Sequence, residues 1–136
     1  AGFLPGFSTL LERTTITEGF ADGVAGRSSV TGEFRGRKVV VTLHQPGRFA
    51  RAHLVVSMET KATQTVDEHE LLRIRYARND QALDALQGLR LTHQSCCLKV
   101  LWEPVAVWVP FPGRWWPQKW QGVLEAMHTM AGMLER

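Results

Sequence analysis

At 136 residues, 44% of them hydrophobic and 21% charged, the chain has the composition of one globular domain and not of a disordered segment. It is long enough to bury a core without a disulfide or metal staple. The net charge of +3 is modest, and the longest apolar runs, VVV at 39–41 and PVAVWVPF at 104–111, fall far short of the roughly 20 residues that cross a bilayer.

The opening AGFLPGF has neither the basic n-region nor the long apolar h-region of a signal peptide. The first residue is Ala1, so the chain reads as processed or trimmed, which leaves room for a targeting or membrane segment upstream. FSTLLER, residues 7–13, reads as a short helix that begins near Ser8 or Thr9 and carries Phe7, Leu10 and Leu11 as its apolar stripe. TEGFADGVAGRSS, residues 17–29, is rich in glycine and polar residues and reads as a loop or loosely paired edge.

SSVTGEF and KVVVTLH then read as a strand pair around a glycine-centred turn at Arg35-Gly36-Arg37. In the second strand Val39, Val41 and Leu43 share one face, and Val40, Thr42 and His44 the other. After the turn Gln45-Pro46-Gly47-Arg48, a third strand places Ala52, Leu54, Val56 and Met58 on one side. Arg51, His53, Val55, Ser57 and Glu59 take the other side, a pattern that suits an antiparallel sheet with one wet face.

Residues 61–69 read as a polar connection. ELLRIRYAR alternates Leu72, Ile74 and Tyr76 against Arg73 and Arg75 and reads as a fourth strand. Asn79 and Asp80 would cap a helix over 81–89 with Leu83, Leu86 and Leu89 on one side and Gly88 at its stop. CCLKVLW reads as a strand and VAVWV, residues 105–109, as its partner. Pro117 then opens a closing helix with an apolar stripe of Trp120, Val123, Leu124, Met127, Ala131 and Leu134. The order is α-β-β-β-β-α-β-β-α, which predicts a single α+β domain over 1–136: an antiparallel sheet of about six strands with its helices on one face.

The motifs and their spacing point to no assembled reactive centre. The glycines make no P-loop or dinucleotide fingerprint, and no Gly-x-Ser-x-Gly elbow is present. His44 and His53 approach each other if their strands pair, but two imidazoles lack the third ligand a zinc site requires. His93 and Cys97 are four residues apart, about 13 Å along an extended strand at roughly 3.3 Å per residue, too far for a Cys-His nucleophile without a tight turn at Gln94-Ser95. Cys96 and Cys97 are the only cysteines. As strand neighbours they should point to opposite faces, so no internal disulfide is expected, and the pair favours a reducing compartment. No cofactor, metal or small-molecule substrate is implied.

Two surfaces are candidates for binding. From Arg27 to Lys61, seven basic residues stand against two acidic ones, and Arg35, Arg37, Lys38, Arg48 and Arg51 form a candidate anion patch. Such a patch can attract an anionic membrane surface or nucleic acid, but without a nucleic-acid motif it reads first as a solvated strand face with two charged turns, and nucleic acid is not the expected partner. FPGRWWPQKW, residues 111–120, concentrates three tryptophans. Trp120 heads the helical stripe and belongs to the core. Trp115 and Trp116 are adjacent, so one of them is left for an outside contact beside Phe111 and Arg114, a composition that protein interfaces use as an anchor.

TGEFRGRKVVVTL at 31–43, YARNDQALDAL at 76–86 and the closing amphipathic helix resemble an uncharacterised kind of bacterial domain, in which a G-E-[FY]-R-G-R-x-V hairpin opens a small sheet and which often follows membrane-spanning helices. The resemblance covers residues 20–136. It implies a cytoplasmic domain tethered to the inner membrane by a segment outside this chain, and it brings no catalytic residues. The element order also resembles the secretion-chaperone-like α+β fold, although those chaperones are typically acidic and this chain is basic. The expected function is a non-enzymatic protein-binding or self-associating assembly module. The alternatives are a small hydrolase or metal-dependent enzyme using His44, His53 or the cysteine pair, and a weak nucleic-acid-binding domain.

Overall fold

The computed structural model describes residues 3–20, 26–45, 53–78, 81–102 and 117–136. Its elements in chain order are α1 (Phe3–Ser8), β1 (Glu12–Phe20), β2 (Gly26–Phe34), β3 (Arg37–Gln45), β4 (His53–Glu59), α2 (Glu68–Arg78), a 3-10 helix (Gln81–Leu86), β5 (Arg90–Gln94), β6 (Cys97–Trp102) and α3 (Pro117–Leu134). The six strands form one antiparallel sheet in the order β1-β2-β3-β4-β6-β5. Helix, four strands, helix, two strands, helix is the expected order, although some of these elements are built by other residues than the pattern suggests.

The register sorts the side chains. Val30, Val41, Val56, Val100 and Leu91 lie opposite one another across five strands, and Val39, Met58 and Leu98 make a second row. All eight are buried. Against this face α3 lays Val123, Leu124, Met127, Met130 and Leu134, also buried, as its helical stripe requires. Trp120 is the hub at the helix start: its ring stands 5.3 Å from Phe7 of α1 and 6.1 Å from Trp102 of β6. The 3-10 helix adds Leu83 and Leu86 beside α3.

Four local expectations are corrected. The helix expected over 7–13 lies at Phe3–Ser8. β1 (Glu12–Phe20), with its β-branched run Thr14-Thr15-Ile16-Thr17, takes up Glu12 and Arg13, the unassigned 14–16 and the first part of the 17–29 stretch read as a loop or loosely paired edge; it is the paired edge that forms. A bulge between Glu12 and Thr15, with Arg13 at φ 54°, absorbs an extra residue as β1 joins β2. ELLRIRYAR is the body of α2 and not a strand. Asp67 caps it, its Oδ1 accepting the Glu70 N–H at 2.8 Å, while Glu68 and Glu70 suit the positive helix start. Residues 81–86 are 3-10 rather than α, and the stop at Gly88 is made by φ 81°. Finally, β6 pairs with β5 and β4; the VAVWV segment lies outside the described residues.

The two sheet edges differ. Beyond β5, Val66 exchanges two backbone hydrogen bonds with His93, at 2.9 and 3.1 Å, and α2 packs alongside. On the opposite edge Glu12–Thr17 of β1 is exposed, including Ile16 at 41%.

Candidate binding surface

Because strand residues alternate, the face away from α3 is set by the same registers. Val40 and Thr42 of β3, Val55 and Ser57 of β4, and Leu101 and Cys97 of β6 are half-buried. No described element packs over them. Exposed Lys38, Lys99 and Arg90 stand among them. Two clefts indent this face. One, of about 270 Å³, is lined by Val55, Arg90, Thr92, Lys99 and Leu101. The other, of about 260 Å³, is lined by Lys38, Val40, Ser57, Glu59, Ser95, Cys96 and Cys97. Arg90 reaches Glu68 of α2 at 3.7 Å. The result is a floor of short apolar and hydroxyl side chains under a cationic fringe.

His44 and His53 are brought together as the strand pairing requires: they face each other in register, with ring centroids 6.5 Å apart and the planes 27° from parallel. Among the described residues no group of three or more His, Cys, Asp or Glu gathers to hold a metal. His93 and Cys97 do not meet. His93 is buried on the core face, while Cys97 lines the opposite face across from Glu59.

The basic residues between 27 and 61 separate. Arg35 and Gly36, with φ 50° and 81°, form a two-residue type I′ turn, so Arg37 already belongs to β3. Arg35 turns to α3 and meets Glu125 at 2.6 Å. Arg37 shares the helix-covered face with Val39. Its Nη1 and Nη2 donate to the two Glu135 carboxylate oxygens at 2.6 Å each, its Nε to His128 Nδ1 at 3.0 Å, and its Nη1 also to the Glu59 carbonyl at 3.2 Å. The Lys61 N–H donates to the same carboxylate at 2.6 Å. Lys38, the next residue after Arg37, lies exposed beside the 260 Å³ cleft on the opposite face. Arg48 and Arg51 lie outside the described residues, as do Phe111, Arg114, Trp115 and Trp116.

The Arg37 hydrogen bonds hold the Glu135 carboxyl down to about 2, against the opposing effect of burial. Glu135 in turn raises Arg37. His128 is lowered, first by burial and then by the charges of Arg37 and Arg35, which keeps its Nδ1 an acceptor. Glu125 and Glu135 were not singled out from sequence. The signal for them was present: Arg37 falls in the register of Val39 and Val41, and a cation on an apolar face calls for a carboxylate.

No family model, curated protein or solved structure matches the chain. Among the described residues no helix is long and apolar enough to cross a membrane.

Proposed function

We propose that the chain is a non-enzymatic binding or assembly module that holds another protein, or a second copy of itself, on the sheet face opposite α3. One observation carries this reading. The sheet buries a full core on one side and leaves Val40, Val55 and Leu101 half-buried on the other, within a fringe of Lys38, Lys99 and Arg90. A mixed apolar and cationic surface of this kind suits a protein partner that brings apolar side chains and carboxylates. The tryptophan segment 111–116 is the second candidate contact. The resemblance of the Gly32–Val39 hairpin supports placing the module on the cytoplasmic side of a bacterial inner membrane, tethered by a segment outside this chain.

The test pairs Val55→Glu with Leu101→Glu. Both side chains are half-exposed, so a cooperative melt should persist. Sedimentation velocity over a range of concentrations and quantitative cross-linking of the chain should show the association weakened by tenfold or more. Association that is unchanged in this variant sinks the reading for the sheet face. Replacing Trp115 and Trp116 with alanine asks the same question of the second contact.

A further inference from the structure

In an extended strand adjacent side chains leave on opposite faces. The β5–β6 connection breaks that rule for Cys96 and Cys97. Ser95 and Cys96 have φ 54° and 59°, so they are the central residues of a type I′ turn and only Cys97 belongs to the strand. Both cysteines are half-buried, and both line the 260 Å³ cleft. The turn is anchored: the Cys96 carbonyl accepts the Thr60 N–H at 2.8 Å, and Cys97 pairs in register with Gln94 on one side and Glu59 on the other.

We propose that Cys96 and Cys97 form a binding site for a soft, thiophilic monovalent cation of the copper(I) class. Thiolate sulfur selects such ions over hard ones. A d10 monovalent ion is satisfied by two sulfurs, whereas zinc takes four ligands at a structural site and three at a catalytic one. Binding is an acid–base exchange with no change of oxidation state: two thiols and one Cu⁺ give an anionic bis-thiolate complex and two released protons. Lys38, in the same cleft, offsets the single negative charge of that complex. Glu59 lies across from Cys97 and opposes the charge, and as a hard oxygen donor it is not recruited by a soft ion. The site is separate from the His44–His53 pair. Those residues and Cys97 mark opposite ends of β4, six residues or about 20 Å apart at roughly 3.3 Å per residue.

The experiment is an anaerobic titration of the purified chain with copper(I) against bicinchoninate as chromophoric competitor. One equivalent per chain should be withdrawn, with a copper absorption-edge spectrum showing two sulfur neighbours. Cys96→Ser and Cys97→Ser should each weaken retention at least tenfold while melting as the parent does, because the Thr60 bond uses the backbone carbonyl of Cys96. Lys38→Gln should weaken it several-fold and leaves both thiols in place. Failure to withdraw copper overturns the proposal. So does one equivalent retained in both serine variants, which would place the ion on imidazole or thioether, or one copper per two chains, which would place it between molecules.

Discussion

His93 uses both ring nitrogens inside the core face, at 1% exposure. Nδ1 lies 2.6 Å from the Gln64 carbonyl, which can only accept, so the proton sits on Nδ1 and Nε2 accepts the Thr60 hydroxyl at 2.7 Å. The ring therefore ties the 60–66 connection to β5. Replacing it with phenylalanine keeps the volume but strands the Gln64 carbonyl and leaves the Thr60 hydroxyl only the Ala62 carbonyl at 3.4 Å, which should cost about 1–3 kcal/mol in urea denaturation; a loss below about 0.5 kcal/mol would reduce the ring to filler. Two glycines make a contrasting pair. A Cβ at Gly32 would stand 2.9 Å from both the Glu12 carbonyl oxygen and Leu11 Cβ, where the chain enters the β1 bulge. Neither neighbour can swing aside, so Gly32→Ala should destabilise by about 1–3 kcal/mol. At Gly132 in α3 nothing lies within 4 Å of that position, and Gly132→Ala should stabilise by up to about 1 kcal/mol.

At the scale of elements, the end of α3 is fastened to the β2–β3 and β4 ends by the Arg37–Glu135 pair. Glu135 has a folded value depressed from 4.5 to about 2. Its stabilisation is therefore complete above about pH 4.5 and is lost as pH falls toward 2, where the folded state must also take up the proton. Glu135→Gln should be clearly less stable than the parent at pH 7, and the gap should close between pH 4.5 and 2. A gap independent of pH would mean that the amide was lost as packing and not as charge. His128 acts in a higher window. Its value is lowered from 6.5, so the unfolded chain binds the proton first and stability begins to fall as pH drops below about 6.5. In His128→Gln that limb should be absent from a series of melts between pH 7.5 and 5. Elements whose apolar period was unambiguous were legible in the sequence: β3, β4, β6 and α3 follow their stripes closely. α2 was not, because Leu72, Ile74 and Tyr76 alternate like a strand while the cap at Asp67 decides for a helix. β1 was legible only in part, as the loosely paired edge that residues 17–29 allowed; its start at 12–16 was hidden because Glu12 and Arg13 read as helix and the threonines read as polar, and only pairing with β2 reveals their β-branched preference. The opposite placing of Arg37 and Lys38 was implicit in the alternation of β3, but the carboxylates that meet Arg35 and Arg37 come from α3 and the residue just after it, some 90 residues away, which no local pattern shows.

Over the whole molecule the sheet divides the labour between its two faces. Trp120 joins α1, α3 and β6, so the covered face behaves as one cooperative unit and not as separate layers. Truncating a buried aromatic of this size costs about 3–5 kcal/mol, a large part of the roughly 5–15 kcal/mol that holds a domain together. Trp120→Ala should therefore shift far-UV circular dichroism and tertiary fluorescence together, in one transition at much lower denaturant. Val55→Glu and Leu101→Glu, on the uncovered face, should leave that transition within about 1 kcal/mol because their side chains keep access to water. If the open-face pair instead unfolded the protein as Trp120→Ala does, both faces would be core, and the surface assigned to a partner would already be occupied by the chain's own residues.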